Sequence, residues 1–113
     1  MVALVRQSNS GADTAVIALA ASGQVVAAVA GKRIRLLQFY LVTTLANSVK
    51  WQSAATTDLT GAAPLAANGG LVCPCGPGNS PMPWAITLVG EALTLNMTVG
   101  TAVGGVAIYD TVD

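Results

Sequence analysis

Histidine is missing from this sequence altogether. Hydrolytic triads depend on an imidazole or an equivalent base to take up the nucleophile's proton, so that chemistry has no centre here. A thiol nucleophile at Cys73 or Cys75 would lack its usual partner for the same reason. The acidic residues number five; they are scattered until Asp110 and Asp113, and their spacing lends no support to a carboxylate pair for glycoside hydrolysis. Asp58 stands alone where a calcium loop would crowd several Asp, Asn and Glu side chains together. No glycine-rich loop precedes a helix, as a phosphate cradle requires. No residue is therefore assigned a catalytic, cofactor-binding or metal-binding role, and the expected protein is not an enzyme.

Charge is scarce as well. Charged residues are 9% of the chain, against about 25% in an ordinary soluble domain. Arg6, Lys32, Arg33, Arg35 and Lys50 are balanced by five acids, for a net charge of zero. Nucleic-acid binders carry a basic excess, because phosphate neutralisation supplies much of their affinity, so no direct nucleic-acid partner is expected. The trio Lys32, Arg33 and Arg35 reads instead as a solvated strand end or as partners for acids. Long apolar runs are missing too. A spanning helix needs about 20 nearly continuous apolar residues, and the best candidates are cut by Ser22-Gly23-Gln24 and by Gln38, so no membrane partner is expected. Arg6, the run Ala15 to Ala21 and Ala28-Val29-Ala30 loosely imitate a signal peptide, but Asp13 interrupts the positive region and Gln24 follows the apolar core.

Cys73 and Cys75 are separated only by Pro74. A bridge across one residue would be strained, and two thiols without His supply at most half of a zinc site. They read as small hydrophobes, with a bridge or metal between subunits on a symmetry axis as the alternative. Aromatics are 4% of the chain. Trp51 and Trp84 could stack a sugar ring if exposed, yet both fall on the inward set of an alternating strand, which predicts core packing.

The stretch from Gly31 to Ser53 combines bulky apolar side chains with most of the positive charge. Arg33 to Ala46 reads as a long strand, Asn47-Ser48 as a break, and Val49 to Ser53 as a strand returning beside it, with Val49 and Trp51 inward and Lys50 and Gln52 outward. In the long strand, apolar residues fill both alternation classes: Leu37, Phe39 and Leu41 on one, Leu36, Tyr40 and Val42 on the other. Continuous apolarity of this kind predicts that both faces are covered. One face meets the core, and the other then needs a partner. Leu36, Phe39, Tyr40 and Leu41 are the residues assigned to an oligomer interface and its core.

Further strands are predicted over Thr14–Ala20, Val25–Ala30, Leu71–Cys73, Trp84–Val89, Ala92–Thr98 and Val103–Val112, with turn signals between them. A helix over 12–30 was the competing possibility, since Ala is the best helix former, but the β-branched residues and the break at Gly23 oppose it. In Trp84–Val89, the residues Trp84, Ile86 and Leu88 are predicted to point inward. Leu93, Leu95 and Met97 are predicted inward on the next strand. Gly104-Gly105 marks a bulge or a close backbone approach. The proline-rich stretch Pro74 to Pro83 is excluded from helix and central strand. About seven to nine short strands with regular turns indicate an all-β, single-domain antiparallel sandwich over 13–113. Residues 1–12 form an N-terminal arm or a first strand.

The order of several segments resembles small all-β capsid decoration (cement) proteins of tailed bacteriophages. It runs through Val29-Ala30-Gly31-Lys32-Arg33-Ile34-Arg35, Val49-Lys50-Trp51-Gln52-Ser53 and Thr57-Asp58-Leu59-Thr60-Gly61. It continues through Pro64-Leu65-Ala66-Ala67-Asn68-Gly69-Gly70, Gly90-Glu91-Ala92-Leu93-Thr94-Leu95-Asn96 and Val103-Gly104-Gly105-Val106. The chain departs from the pattern at Cys73-Pro74-Cys75-Gly76-Pro77, and residues 1–12 lie outside it. The resemblance implies a jelly-roll-like sandwich, a homotrimer, and a place on the outer surface of the virion's capsid. There the trimer would hold neighbouring major capsid subunits together after assembly in the host cytoplasm. It implies no cofactor. The competing expectations are a fibre or tail-tip module that recognises cell-surface carbohydrate, and a tail-tube or connector subunit.

Overall fold

The computed structural model describes residues 12–74 and 83–113. Four strands run outward along the chain: β1 (Asp13–Leu19), β2 (Gly23–Val26), β3 (Arg33–Thr43) and β4 (Asn47–Ser53). The short β5 (Thr57–Asp58) and β6 (Ala63–Leu65) reverse the path. It returns through β7 (Gly70–Cys73), β8 (Ala85–Ile86), β9 (Leu93–Met97) and β10 (Val103–Val112). Each returning segment lies antiparallel to an outbound strand: β10 on β1, β9 on β2, β7 and β8 on β3, β5 and β6 on β4. Because β10 also pairs β3 and β9 also pairs β4, the folded ribbon becomes two sheets, β1-β10-β3-β7 and β2-β9-β4-β5. β8 and β6 continue the outer edges of β3 and β4. This is jelly-roll winding, and its two facing sheets make an all-β sandwich. Ten strand segments among the described residues, two of them only two residues long, occupy the eight rows of that plan.

The core lies between the sheets. From the first sheet it takes Ile17, Ile34, Leu36, Phe39, Leu41, Val103 and Ala107, and from the second Val26, Val49, Trp51, Leu93, Leu95 and Met97. Phe39 meets Trp51 edge to face at 5.2 Å between ring centroids, a favoured aromatic geometry. Trp51 and the Leu93-Leu95-Met97 series point inward as their alternation predicts. Buried polar groups tie loops to strands. Asn47 accepts from the Val99 amide through Oδ1 and donates to the Val99 carbonyl through Nδ2, fixing the turn between β9 and β10. Ser53 Oγ donates to Glu91 and accepts from the Leu88 amide, joining β4 to the loop before β9.

Three expectations are corrected by the geometry. In β3, Gln38 pairs with Ile108 and Leu36 with Tyr109, so Leu37 is an extra residue without a partner on β10. Such a bulge switches the phase of a strand. Leu36 before it and Phe39 and Leu41 after it therefore share the core face, and full apolarity is not by itself proof of two covered faces. The strand over Trp84–Val89 shrinks to β8 with its phase inverted: Ala85 and Thr87 are buried, whereas Trp84, Ile86 and Leu88 are exposed. Thr87 is held inside because its hydroxyl accepts from the Ile34 amide while its own amide donates to the Ile34 carbonyl. The strand predicted over Val25–Ala30 ends at Val26, and Ala27 to Ala30 are exposed. Residues 1–11 of the predicted arm, and Cys75 to Met82 of the proline-rich stretch, lie outside the described residues.

Candidate assembly surface

The two outer faces of the sandwich differ in chemistry. On the β2-β9-β4-β5 sheet, Gln24, Thr94, Gln52 and Asp58 form one cross-strand row and Asn96 with Lys50 the next. Amides, hydroxyls and an ion pair cover this face: Lys50 Nζ lies 3.0 Å from Asp58, which also accepts from Gln52 Nε2 at 2.7 Å. Those bonds, that of Gln52 first and that of Lys50 second, hold the Asp58 carboxyl below its ordinary pKa.

On the β1-β10-β3-β7 sheet the corresponding row is Val16, Val106, Tyr40 and Val72. The row beside it is Ala18, Gly104, Val42 and Gly70. Val16 is 73% exposed, Val72 74% and Tyr40 47%. Neither row contains a charged residue. The charges of this sheet are gathered at one end, where Arg35 forms a two-bonded pair with Asp110 and Lys32 pairs with Asp113. Hydrogen bonding to Asp110 raises the Arg35 pKa, and the bond from Lys32 lowers that of Asp113. Two members of the basic trio are thus bound to acids.

The apolar face also has relief. A shallow furrow runs along β10 over Gly104 and Ala102, walled by Ala18 and Ala20 on one side and by Tyr40 and Val42 on the other. A second depression lies across Tyr40, bounded by Gln38, Val72, Pro74, Val106 and Ile108. Tyr40 stands between the two. Strands about 4.8 Å apart and same-face residues about 6.8 Å apart along a strand give these two rows of four an area of about 260 Å². That is close to the lower end of the range of about 300–600 Å² for the largest apolar patch of a monomer, a patch that is often functional.

Of the four residues assigned to an interface and its core, Leu36, Phe39 and Leu41 are buried between the sheets and Tyr40 lies on the outer face. Val16, Val72 and Gly104 belong to the same surface but stand out only once the register across β1, β10, β3 and β7 is known. Trp51 is buried, while Trp84 is 46% exposed, its indole N–H donating to the Pro74 carbonyl at 2.9 Å. Trp84, Phe39, Trp51, Leu71 and Cys73 border a small apolar pocket of about 180 Å³ at the edge of the sandwich. The half-buried Cys73 thiol packs against the core, and burial raises its pKa. Among the described residues no three His, Cys, Asp or Glu side chains group as metal ligands, and no helix is long and apolar enough to cross a membrane. In comparisons with known proteins, no family model, curated protein or solved structure matches this chain.

Proposed function

We infer that the chain is a structural protein of a phage head, a cement protein that binds the outside of the capsid as a homotrimer and stabilises contacts between major capsid subunits. The observation that carries this reading is the uncharged apolar face built on Val16, Val106, Tyr40 and Val72. A lone domain gains nothing from exposing it, whereas an assembly subunit gains burial at every seam, at about 25 cal/mol per Å² of apolar surface. The jelly-roll winding and the segment order that resembles decoration proteins support the same reading. Several modest contacts, each made by one subunit of the trimer, would combine through avidity on a repeating capsid lattice.

Exposure of Trp84 favours one second reading, a fibre or tail-tip module for carbohydrate. The pocket beside Trp84 is almost wholly apolar, which suits the face of a sugar ring but offers little to its hydroxyls. Labelling of intact particles with an antibody to this chain separates the two. Signal over the outer head surface is expected; signal confined to fibres or tail tip would overturn the cement reading. Quenching of tryptophan emission by glycans, abolished by Trp84→Ala, would establish the alternative.

A further inference from the structure

We propose that Asn68 is a site of spontaneous covalent modification. When the turn between β6 and β7 opens, the Gly69 nitrogen attacks the Asn68 side chain and expels its ammonia, and the product unties β7 from β3. The site is independent of the cement reading.

Asparagine precedes glycine nowhere else in the chain. Gly69 is dictated by the turn itself, because a Cβ there would lie 2.8 Å from the Ala66 carbonyl oxygen. The same missing side chain leaves the Gly69 nitrogen unhindered beside Asn68. Asn68 is exposed, and its side-chain amide is bonded to no described residue. Asn47, by contrast, is buried with its side-chain amide held at both ends by Val99.

The closed turn holds the reaction back. Asn68 has a φ of 59°, as the third position of a type II turn requires, and the Gly69 N–H donates to the Ala66 carbonyl at 2.8 Å. That hydrogen must leave before the nitrogen can attack. The Asn68 amide donates to the Thr44 carbonyl at 3.3 Å, and the Gly69 carbonyl accepts from the Thr43 amide at 2.9 Å. These two bonds clasp the turn to the end of β3. An exposed turn of small residues is nevertheless the kind of segment that opens locally at little cost.

Once it opens, the Gly69 nitrogen bonds to Asn68 Cγ, its proton leaves with the side-chain nitrogen as ammonia, and a five-membered imide forms. Water then breaks one of the two imide C–N bonds, giving aspartate or isoaspartate. Isoaspartate adds a methylene to the main chain between the two clasping bonds. The start of β7 has no slack to absorb it, since Gly70 sits hard against the Leu41 carbonyl. Either product also places a carboxylate at the furrow, which no charged residue otherwise lines.

Ageing the purified chain in mildly alkaline buffer, with and without urea, tests this. The peptide holding Asn68 is expected to gain about 1 Da before any other asparagine peptide does, the exchange of an amide NH2 for OH. The rate in urea is expected to exceed that of the folded chain at least about tenfold, because the closed turn is protective. In the modified folded chain the Thr43 amide should exchange hydrogen faster. Asn68→Gly keeps the positive φ without strain and has no side-chain amide to lose, so ageing should leave both its turn mass and its Thr43 exchange unchanged. Equal rates in the two media, a gain that comes first at another asparagine, or unaltered Thr43 exchange after modification would each overturn this assignment.

Discussion

At the scale of single residues, backbone conformation decides two outcomes. Ala54 and Ala55 both have positive φ, 57° and 70°, in the tight turn from β4 to β5, closed by the Thr56 amide on the Ser53 carbonyl. A side chain in this region is disfavoured by about 1–2 kcal/mol, part of which glycine returns as extra freedom of the unfolded chain. Ala55→Gly is therefore expected to stabilise the fold by about 0.5–1 kcal/mol, read as a higher urea midpoint. Gly105 presents the opposite case: a Cβ there would collide with the Tyr40 carbonyl oxygen and the Leu41 backbone. Gly105→Ala should destabilise by about 3 kcal/mol, at the upper end for overpacking, while Ala at neighbouring Gly104 should be tolerated. A fold unaffected by Gly105→Ala would mean that β10 and β3 approach less closely than they do here. The sequence marks Gly104-Gly105 as a pair, but only the register tells the close approach at one from the open furrow at the other.

At the scale of elements, alternation is a good guide where a strand is regular and a poor one where a side chain or a bulge intervenes. The phases of β4 and β9 follow from Val49 and Trp51 and from Leu93, Leu95 and Met97 alone. The phase switch at Leu37 is invisible in the sequence, because a bulge is defined by the partner strand and Leu36 to Leu37 looks like any apolar pair. β8 fails differently: Trp84, Ile86 and Leu88 look inward by hydrophobicity, but the hydroxyl of Thr87 completes the bonding of Ile34 and turns the strand over. Thr87→Val keeps the shape and removes that acceptor. Leaving a buried amide unpaired costs about 1–3 kcal/mol, so a loss of that size in denaturant unfolding is expected, with faster hydrogen exchange at the Ile34 amide. An unchanged exchange rate there would contradict this account of β8. The same phase logic explains how much of the candidate surface was legible. Tyr40 could be picked out within β3 but not distinguished from buried Leu36, and Val16 and Val72 come from strands far away in the chain.

For the whole molecule, acidity acts at two ends of the scale. Asp58 and Asp113 have lowered pKa values in the folded chain, so the unfolded chain takes up their protons first as pH falls. The stability they contribute is present above the ordinary carboxylate value of about 4 and is lost below it. Tyr109 is raised, by burial first and then by the charge of Asp13, so the unfolded chain gives up that proton first and stability declines as pH rises past about 10. With no histidine in the chain, no side chain has an ordinary pKa between about 5 and 8. A thermal midpoint that is level across that range and falls on both sides is the expected profile; a step near pH 6.5 would contradict it. The jelly-roll winding also governs when the fold can form. β10 is the strand between β1 and β3, and it pairs the first described strand with the last, from Asp13 opposite Tyr109 to Leu19 opposite Val103. During synthesis the β2-β9-β4-β5 sheet can pair before β10 emerges, but β1 has no place in its sheet until β10 leaves the ribosome. Long-range pairing of this kind folds slowly, in milliseconds to seconds. Nascent chains stalled before Val103 should accordingly remain sensitive to protease within β1 until β10 has emerged.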